Sequence, residues 1–441
     1  MQPRSILRHL LPLNILVLNI AILLLASAYA MAQAGTLDTT FGTGGLFVLP
    51  TGKTLANSVA IQSNGQILVA GTGLVNNPPE FADMLVRLNT NGTLDTTFGS
   101  GGIANATGFG FFGLAIQSNG SIVTVGTVSG GFQVARFLSN GTLDPSFGSS
   151  GLTTPIVVGT AGEGPTSGSL ALQSNGDILV VEGSGNPSLM VRYTGSGQLD
   201  SSFGTGGMVN LQYASPTQVA VESNGKILVS SGASGILGFG LQPPVAQPGA
   251  VTRYNSNGTV DTSFGASGTV ASVASASALI LQKDGKIVVA GAINSKLNAP
   301  LTASDVGFGI VRYTSSGMPD KTFGTGGVVA TDFGATATDS GAFALALQSN
   351  GDIVAGGAAG ITTAGTFASP AFALSRYTSA GVLDTSFGTS GIVITPIGDQ
   401  DEPITSVSAL AIQSDGKIVA TGTNKFEFDF ENGYVVRYLW Q

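Results

Sequence analysis

The chain has no cysteine and one histidine, His9, in 441 residues. Without cysteine there can be no disulfide, no thiolate nucleophile and no cysteine-ligated zinc. Charge is scarce too: 10% of residues are charged, and the formal net charge is −8. An acidic, charge-poor chain offers no electrostatic footprint for nucleic acid or an anionic membrane surface. Beyond the N-terminus no stretch repeats apolar residues at the 3.6-residue period of a helix. What is abundant is glycine, 65 residues, with no G-X-Y period that would make it collagen-like.

The first 34 residues are of a different kind. Arg4, Arg8 and His9 make a basic start, an apolar stretch runs from Ile15 to Leu25, and the small residues ASAYAMAQA follow. That three-part order is the pattern of a secretory signal peptide. Cleavage is expected after Ala30, with Ala28 at −3, or after Ala34, with Ala32 at −3. The competing reading, an uncleaved anchor, meets a short apolar core interrupted by Asn14 and Asn19. No cysteine follows to take a lipid. The mature chain, residues 35–441, is therefore expected to be secreted, periplasmic or on a bacterial cell surface, without membrane insertion. Loss of Arg4 and Arg8 moves its charge from −8 to −10. Loss of His9 removes every Ser–His–Asp or Cys–His arrangement and the usual zinc ligands.

The rest of the chain repeats. The pattern L-D-x-x-F-G recurs seven times, with its aspartates at Asp38, Asp95, Asp144, Asp200, Asp261, Asp320 and Asp384. The spacings run from 49 to 64 residues, which reads as a fixed frame with loops of different length. Each unit also carries a Q-S-N-G-like turn, such as QSNG at 62 or QSDG at 413, and one arginine before an apolar or aromatic residue. Those arginines are Arg87, Arg136, Arg192, Arg253, Arg312, Arg376 and Arg437, all the arginines after residue 34.

The segments between landmarks read as strands. SALAIQ at 408 and KIVATG at 417 flank Asp415-Gly416, a hairpin signal for which a type I′ turn is expected. We label the strands a (ending at Gln), b (KIVVAG-like), c (ending at Arg) and d (after F-G). Near-continuous apolar runs in a and b predict burial on both faces. Seven four-stranded meanders predict a seven-bladed β-propeller, which closes radially and leaves only short sheet edges. An open solenoid would have shorter, more uniform coils. The first strand after the leader is a d strand, GLFVLP at 45, and the last is a c strand, GYVVRY at 433. The seventh blade is thus expected to be shared by the two ends, as suits a clasped ring.

The frame LDxxFGxxG … QSDGKIVVAG … VVRY resembles the delta-60 repeat family of bacterial propeller repeats, over essentially all of 35–441. The strand order also resembles NHL-type propellers. The resemblance implies a propeller in an exported or surface protein and no settled activity or catalytic residue.

In six units arginine precedes aspartate by eight residues, from Arg87 and Asp95 to Arg376 and Asp384. An offset kept in every copy points to a scaffold ion pair rather than a ligand site, and the same logic pairs Arg437 with Asp38 across the closure. The motif phenylalanines are expected between blades. The sequon-like Asn91, Asn119, Asn140 and Asn257 sit at turns, where turn chemistry explains them.

Function is expected elsewhere. The a–b and c–d connections keep their length, whereas b–c and d–a vary: 72–82, 231–249, 292–306 and 358–370 for b–c, 154–167 and 395–406 for d–a. Variable loops on a rigid scaffold are where binding resides, so any site is placed on the b–c/d–a face near the central channel. There KFEFDFENGY (425–434) alternates rings with Glu427, Asp429 and Glu431, and the preceding d–a loop carries Asp399, Asp401 and Glu402. Clustered loop carboxylates suit Ca²⁺, although an acidic edge that discourages strand pairing explains them as well. Otherwise no cofactor is expected. The reading is a monomeric, non-enzymatic module binding a protein or glycan. The alternatives are an envelope protein with a structural role, or a glycan hydrolase or lyase, which would need paired carboxylates from among Asp332, Asp339, Asp399 and Asp401.

Overall fold

Each Q-S-N-G landmark reverses the chain by the same device. Gly65 N donates to Gln62 O and Gln62 N to Gln66 O, both at 2.8 Å, while Asn64 Oδ1 accepts from Gln66 N at 3.0 Å. Only the glycine is left-handed: Gly65, Gly120, Gly176, Gly225, Gly285, Gly351 and Gly416 have φ between +81° and +92°. This is a three-residue hairpin loop with a G1 bulge, not the type I′ turn expected. A type I′ turn needs two left-handed residues, and here the Asn or Asp side chain caps the turn from an ordinary conformation.

The computed structural model describes residues 33–441 apart from 51, 53, 76–79, 107, 109, 159–167, 184–186, 233–248, 273–274, 295–305, 334–339, 362–368, 398–403 and 427–428. Among the described residues there are seven four-stranded antiparallel sheets and no helix. In the first blade the strands are Leu55–Ile61 (a), Ile67–Val75 (b), Glu80–Leu88 (c) and Ile103–Ala104 (d), paired in that order. The chain is a seven-bladed β-propeller.

The a strands line the central channel, and their residues are mostly half-buried, as in GSLAL at 168. The expectation of burial on both faces therefore fails for a, whose exposure comes from the channel, and holds for b, as in the wholly buried Ile178–Glu182. Among the described residues the core is divided into seven apolar clusters, each between neighbouring blades. One joins Phe41, Val419 and Val435 of the seventh blade to Ile67, Val69 and Val86 of the first, so the ring closes.

The seventh blade takes its a, b and c strands, Ile404–Ile412, Ile418–Phe426 and Asp429–Tyr438, from the C-terminal part and its d strand, Leu46–Val48, from the N-terminal part. Leu46 pairs with Val436 and Val48 with Tyr434. Several expected b–c loops are largely hairpin: in the first blade pairing continues to Val75 and Glu80, and in the seventh to Phe426 and Asp429. Of KFEFDFENGY, Lys425 and Phe426 end strand b and Asp429 begins strand c, with Lys425 paired to Phe430 and Phe426 to Asp429.

Candidate functional site

On the face carrying the a–b and c–d connections, every arginine among the described residues occupies the same niche. Its Nε donates to the aspartate eight residues on, at 2.7–2.8 Å for the pairs Arg87–Asp95, Arg136–Asp144, Arg192–Asp200, Arg253–Asp261, Arg312–Asp320 and Arg376–Asp384. Arg437 Nε donates to Asp38 Oδ2 at 2.9 Å across the closure. Each guanidinium lies over the motif phenylalanine of its own blade, 4.4–4.7 Å from the ring centroid, a favourable stacking geometry. All seven rings are fully buried.

The third arginine contact crosses to the next blade. Nη1 of Arg87 donates to Ser139 O, Arg136 to Gly195 O, Arg192 to Ser256 O, Arg253 to Ser315 O, Arg312 to Ser379 O and Arg376 to Trp440 O, at 2.5–2.6 Å. Arg437 closes the circuit on Thr90 O. Beside this ring runs a second one. The motif glycine N–H donates to a turn carbonyl of the next blade, from Gly42 to Asn91 at 2.8 Å through Gly388 to Ala34 at 2.7 Å. The sequence showed the Arg–Asp offset but not these inter-blade bonds, which leave no spacing signal.

The aspartates are held ionised. Asp320 is typical: burial opposes its charge, but the Thr322 hydroxyl and amide, Arg312 and Lys286 bring its pKa down to about 2. Asp38, Asp95, Asp144, Asp200, Asp261 and Asp384 also lie below the ordinary range. Each Oδ1 accepts from the Thr or Ser two residues on, as Asp95 does from Thr97 N and Oγ1 at 3.1 and 2.6 Å. The Asn turns are similarly internal: Asn91, Asn140 and Asn257 Oδ1 accept from the Thr two residues on, and Asn119 from Ser121 N.

Two concavities open on this face, between blades three and four (about 690 Å³) and between seven and one (about 570 Å³). They are equivalent grooves between a–b turns, and their arginines, Arg192 and Arg437, already have three partners each. Repeat geometry accounts for them. The central channel, about 270 Å³, is lined by a-strand residues including Asn57, Phe112, Thr217, Gln218 and Phe343, with no charged side chain among the described lining.

On the opposite face the first blade carries a residue that sequence reading missed. Asp83, on strand c, is 1% exposed. Its carboxylate accepts from Ala106 N at 2.8 Å and Gly108 N at 2.9 Å, and its carbonyl accepts from Asn105 Nδ2. Burial raises its pKa, opposed by the two amide bonds. It clamps the d–a loop of that blade. The six other c strands have no carboxylate at this place, so repeat comparison would have marked it.

Of the calcium candidates, Asp399, Asp401, Glu402 and Glu427 lie outside the described residues, as does Asp339. For Asp429 and Glu431 the backbone is described, in strand c of the seventh blade. Asp332 is exposed at the end of a d strand. Among the described residues no three metal-ligating side chains converge, and no helix is long and apolar enough to cross a membrane.

Five segments, 62–98, 117–147, 249–264, 282–323 and 348–387, match the family described as domain of unknown function (DUF5122) beta-propeller. The repeats are β-propeller repeats. No curated protein sequence matches the chain. Similar solved structures include virginiamycin B lyase from Staphylococcus aureus, 13% identical over 89% of this chain and 98% of that one, TM-score 0.48. Polysaccharide lyase Uly1 is 11% identical over 94% of each chain, TM-score 0.46. Drosophila Plexin A in complex with Semaphorin 1b is 10% identical over 92% and 88%, TM-score 0.44. These likenesses carry no argument about activity, and the ring rests on its own strand pairing.

Proposed function

We propose that this chain is an exported, monomeric, non-enzymatic propeller of the delta-60 kind that binds a protein or glycan through its b–c/d–a face. One observation carries the reading. Each arginine of the described chain has its aspartate, its ring and its inter-blade carbonyl, so the repeated charges are committed to the scaffold. The described channel lining adds no charged group. What remains unique to each blade is the set of b–c and d–a connections, held on a rigid ring as binding loops are. The acidic charge argues against a nucleic-acid partner.

The test is a protein and glycan interaction screen on the mature domain, repeated with the b–c segments 233–248 and 295–305 shortened and with Asn175→Ala on the opposite face. Loss of binding on shortening, with unchanged melting and no effect of Asn175→Ala, is expected. The opposite pattern would move the site to the constant face. Glycan cleavage abolished by Asp399→Asn or Asp401→Asn would replace binding by catalysis. Calcium enters as a proposed ligand of the seventh-blade carboxylates, and a melting temperature indifferent to Ca²⁺ and chelator would remove it.

A further inference from the structure

The closure is not complete with strand pairing. It also requires a turn that the chain never makes covalently. In the first blade the c–d turn runs Arg87-Leu88-Asn89-Thr90-Asn91-Gly92-Thr93-Leu94-Asp95. Asn89 N donates to Thr93 O, and Gly92 N donates to Asn89 O, at 2.8 and 2.9 Å. In the seventh blade Leu439 N donates to Thr36 O at 2.9 Å and Gly35 N to Leu439 O at 2.7 Å. Gly35 has φ +84°, against +82° for Gly92. Arg437-Tyr438-Leu439-Trp440 and Ala34-Gly35-Thr36-Leu37-Asp38 therefore build the same turn, with the break between Trp440 and Ala34.

Two residues at that break have defined work. Ala34, 7% exposed, lies in the core between blades six and seven. Its carbonyl accepts from Gly388 N at 2.7 Å, the bond that Asn91, Asn140, Ser196, Asn257, Ser316 and Ala380 accept elsewhere in the ring. Alanine has no side-chain acceptor to replace the Asn91 amide oxygen, which receives Thr93 N and Oγ1. The Gln33 carbonyl takes that role, accepting from Thr36 N at 3.0 Å and Thr36 Oγ1 at 2.7 Å. Gln33 Nε2 also donates to Gly388 O at 2.6 Å.

We infer that the leader is processed after Ala30 and not after Ala34, so that the mature chain begins at Met31 and keeps Gln33 and Ala34 as its clasp. This rests on the export reading. Cleavage after Ala34 would delete the carbonyl that receives Gly388 N, the two bonds to Thr36 and a buried methyl. It would also place a charged ammonium on Gly35, inside the turn.

The experiment is N-terminal sequencing and intact mass of the full chain after export from a bacterial host. A start at Met31 is expected. A start at Gly35 would overturn the inference while leaving the export reading intact, and an uncleaved N-terminus would overturn both. Residues 31–441 and 35–441 produced directly provide the second readout. The shorter chain is expected to melt lower by about 2 °C or more, and equal melting would overturn the reason given for the cleavage site.

Discussion

Arg437 Nε donates to Asp38 Oδ2 at 2.9 Å across 399 residues of sequence, whereas the other six pairs span eight. The geometry does not register the difference: the guanidinium lies 4.6 Å from the Phe41 centroid and reaches Thr90 O in the next blade. Both side chains are 5–6% exposed. Removing one partner of such a buried pair strands the other charge, at roughly 3–5 kcal/mol.

A double-mutant cycle separates a true pair from two independent losses. Asp38→Ala and Arg437→Ala are each expected to destabilise strongly and to couple by roughly 0.5–3 kcal/mol. The cycle on Asp200 and Arg192 should give a coupling of the same size. Denaturant melts would show this, and additivity at the closure beside coupling within blade three would mean that the ends are not clasped.

Acid should open the ring within a defined window. The seven motif aspartates are depressed in the folded state, so their stabilisation is complete above the unfolded value of about 3.9. It is lost as pH falls through the folded values, about 2 for Asp320. Urea midpoints should stay high to about pH 5 and then fall steeply between about 4 and 2. Asp83 acts in the opposite sense: its raised pKa contributes stability at low pH that is lost as pH rises through the folded value. A stability loss beginning near neutrality on acidification would contradict this assignment.

The glycine that ends the KIVVAG-like run in five of the seven blades, Gly71, Gly126, Gly291, Gly357 and Gly422, supplies another test. A Cβ on Gly422 would lie 1.9 Å from Ser406 O, and one on Gly291 would lie 1.5 Å from Ser275 O. Gly422 pairs beside the bulge at Val407/Ala409 in strand a. Gly422→Ala should therefore lower stability by about 1–3 kcal/mol through overpacking against backbone. Wild-type melting of this variant would show that the close approach relaxes at no cost.

Asp83→Ala should free the d–a loop it clamps and leave the ring intact. Two buried amide bonds are lost, at about 1–3 kcal/mol for the groups left unsatisfied. Hydrogen exchange should accelerate at Ala106 and Gly108 with little change in the b strands. Uniform acceleration across the blade would make Asp83 a core residue rather than a loop clamp.

The repeat made most of the architecture legible. Asp38 and Arg437 could be paired on paper because six copies displayed their offset, and the strand order told where the chain was cut. Contacts between blades were not legible: Ser139 O receiving Arg87, or Ala34 O receiving Gly388, uses a backbone atom that any residue supplies. The Asn-Gly turns misled because a type I′ turn and a G1 bulge share the same dipeptide. Asp83 stands out on comparing the seven c strands, but the comparison does not show that its carboxylate takes the amides of Ala106 and Gly108. On the b–c/d–a face Asp399, Asp401, Glu402 and Glu427 remain sequence expectations, since variable loops have no second copy against which to be read.

A circular permutant tests the closed ring most directly. Trp440 joined to Ala34, with new ends between Thr90 and Asn91, makes the seventh turn covalent and moves the break to an equivalent turn of the first blade. The permutant exchanges the Gln33 bonds to Thr36 and Gly388 for a peptide bond and should melt in one cooperative transition. A product that does not fold, or whose seventh blade melts apart from the rest, would contradict a ring clasped at that turn.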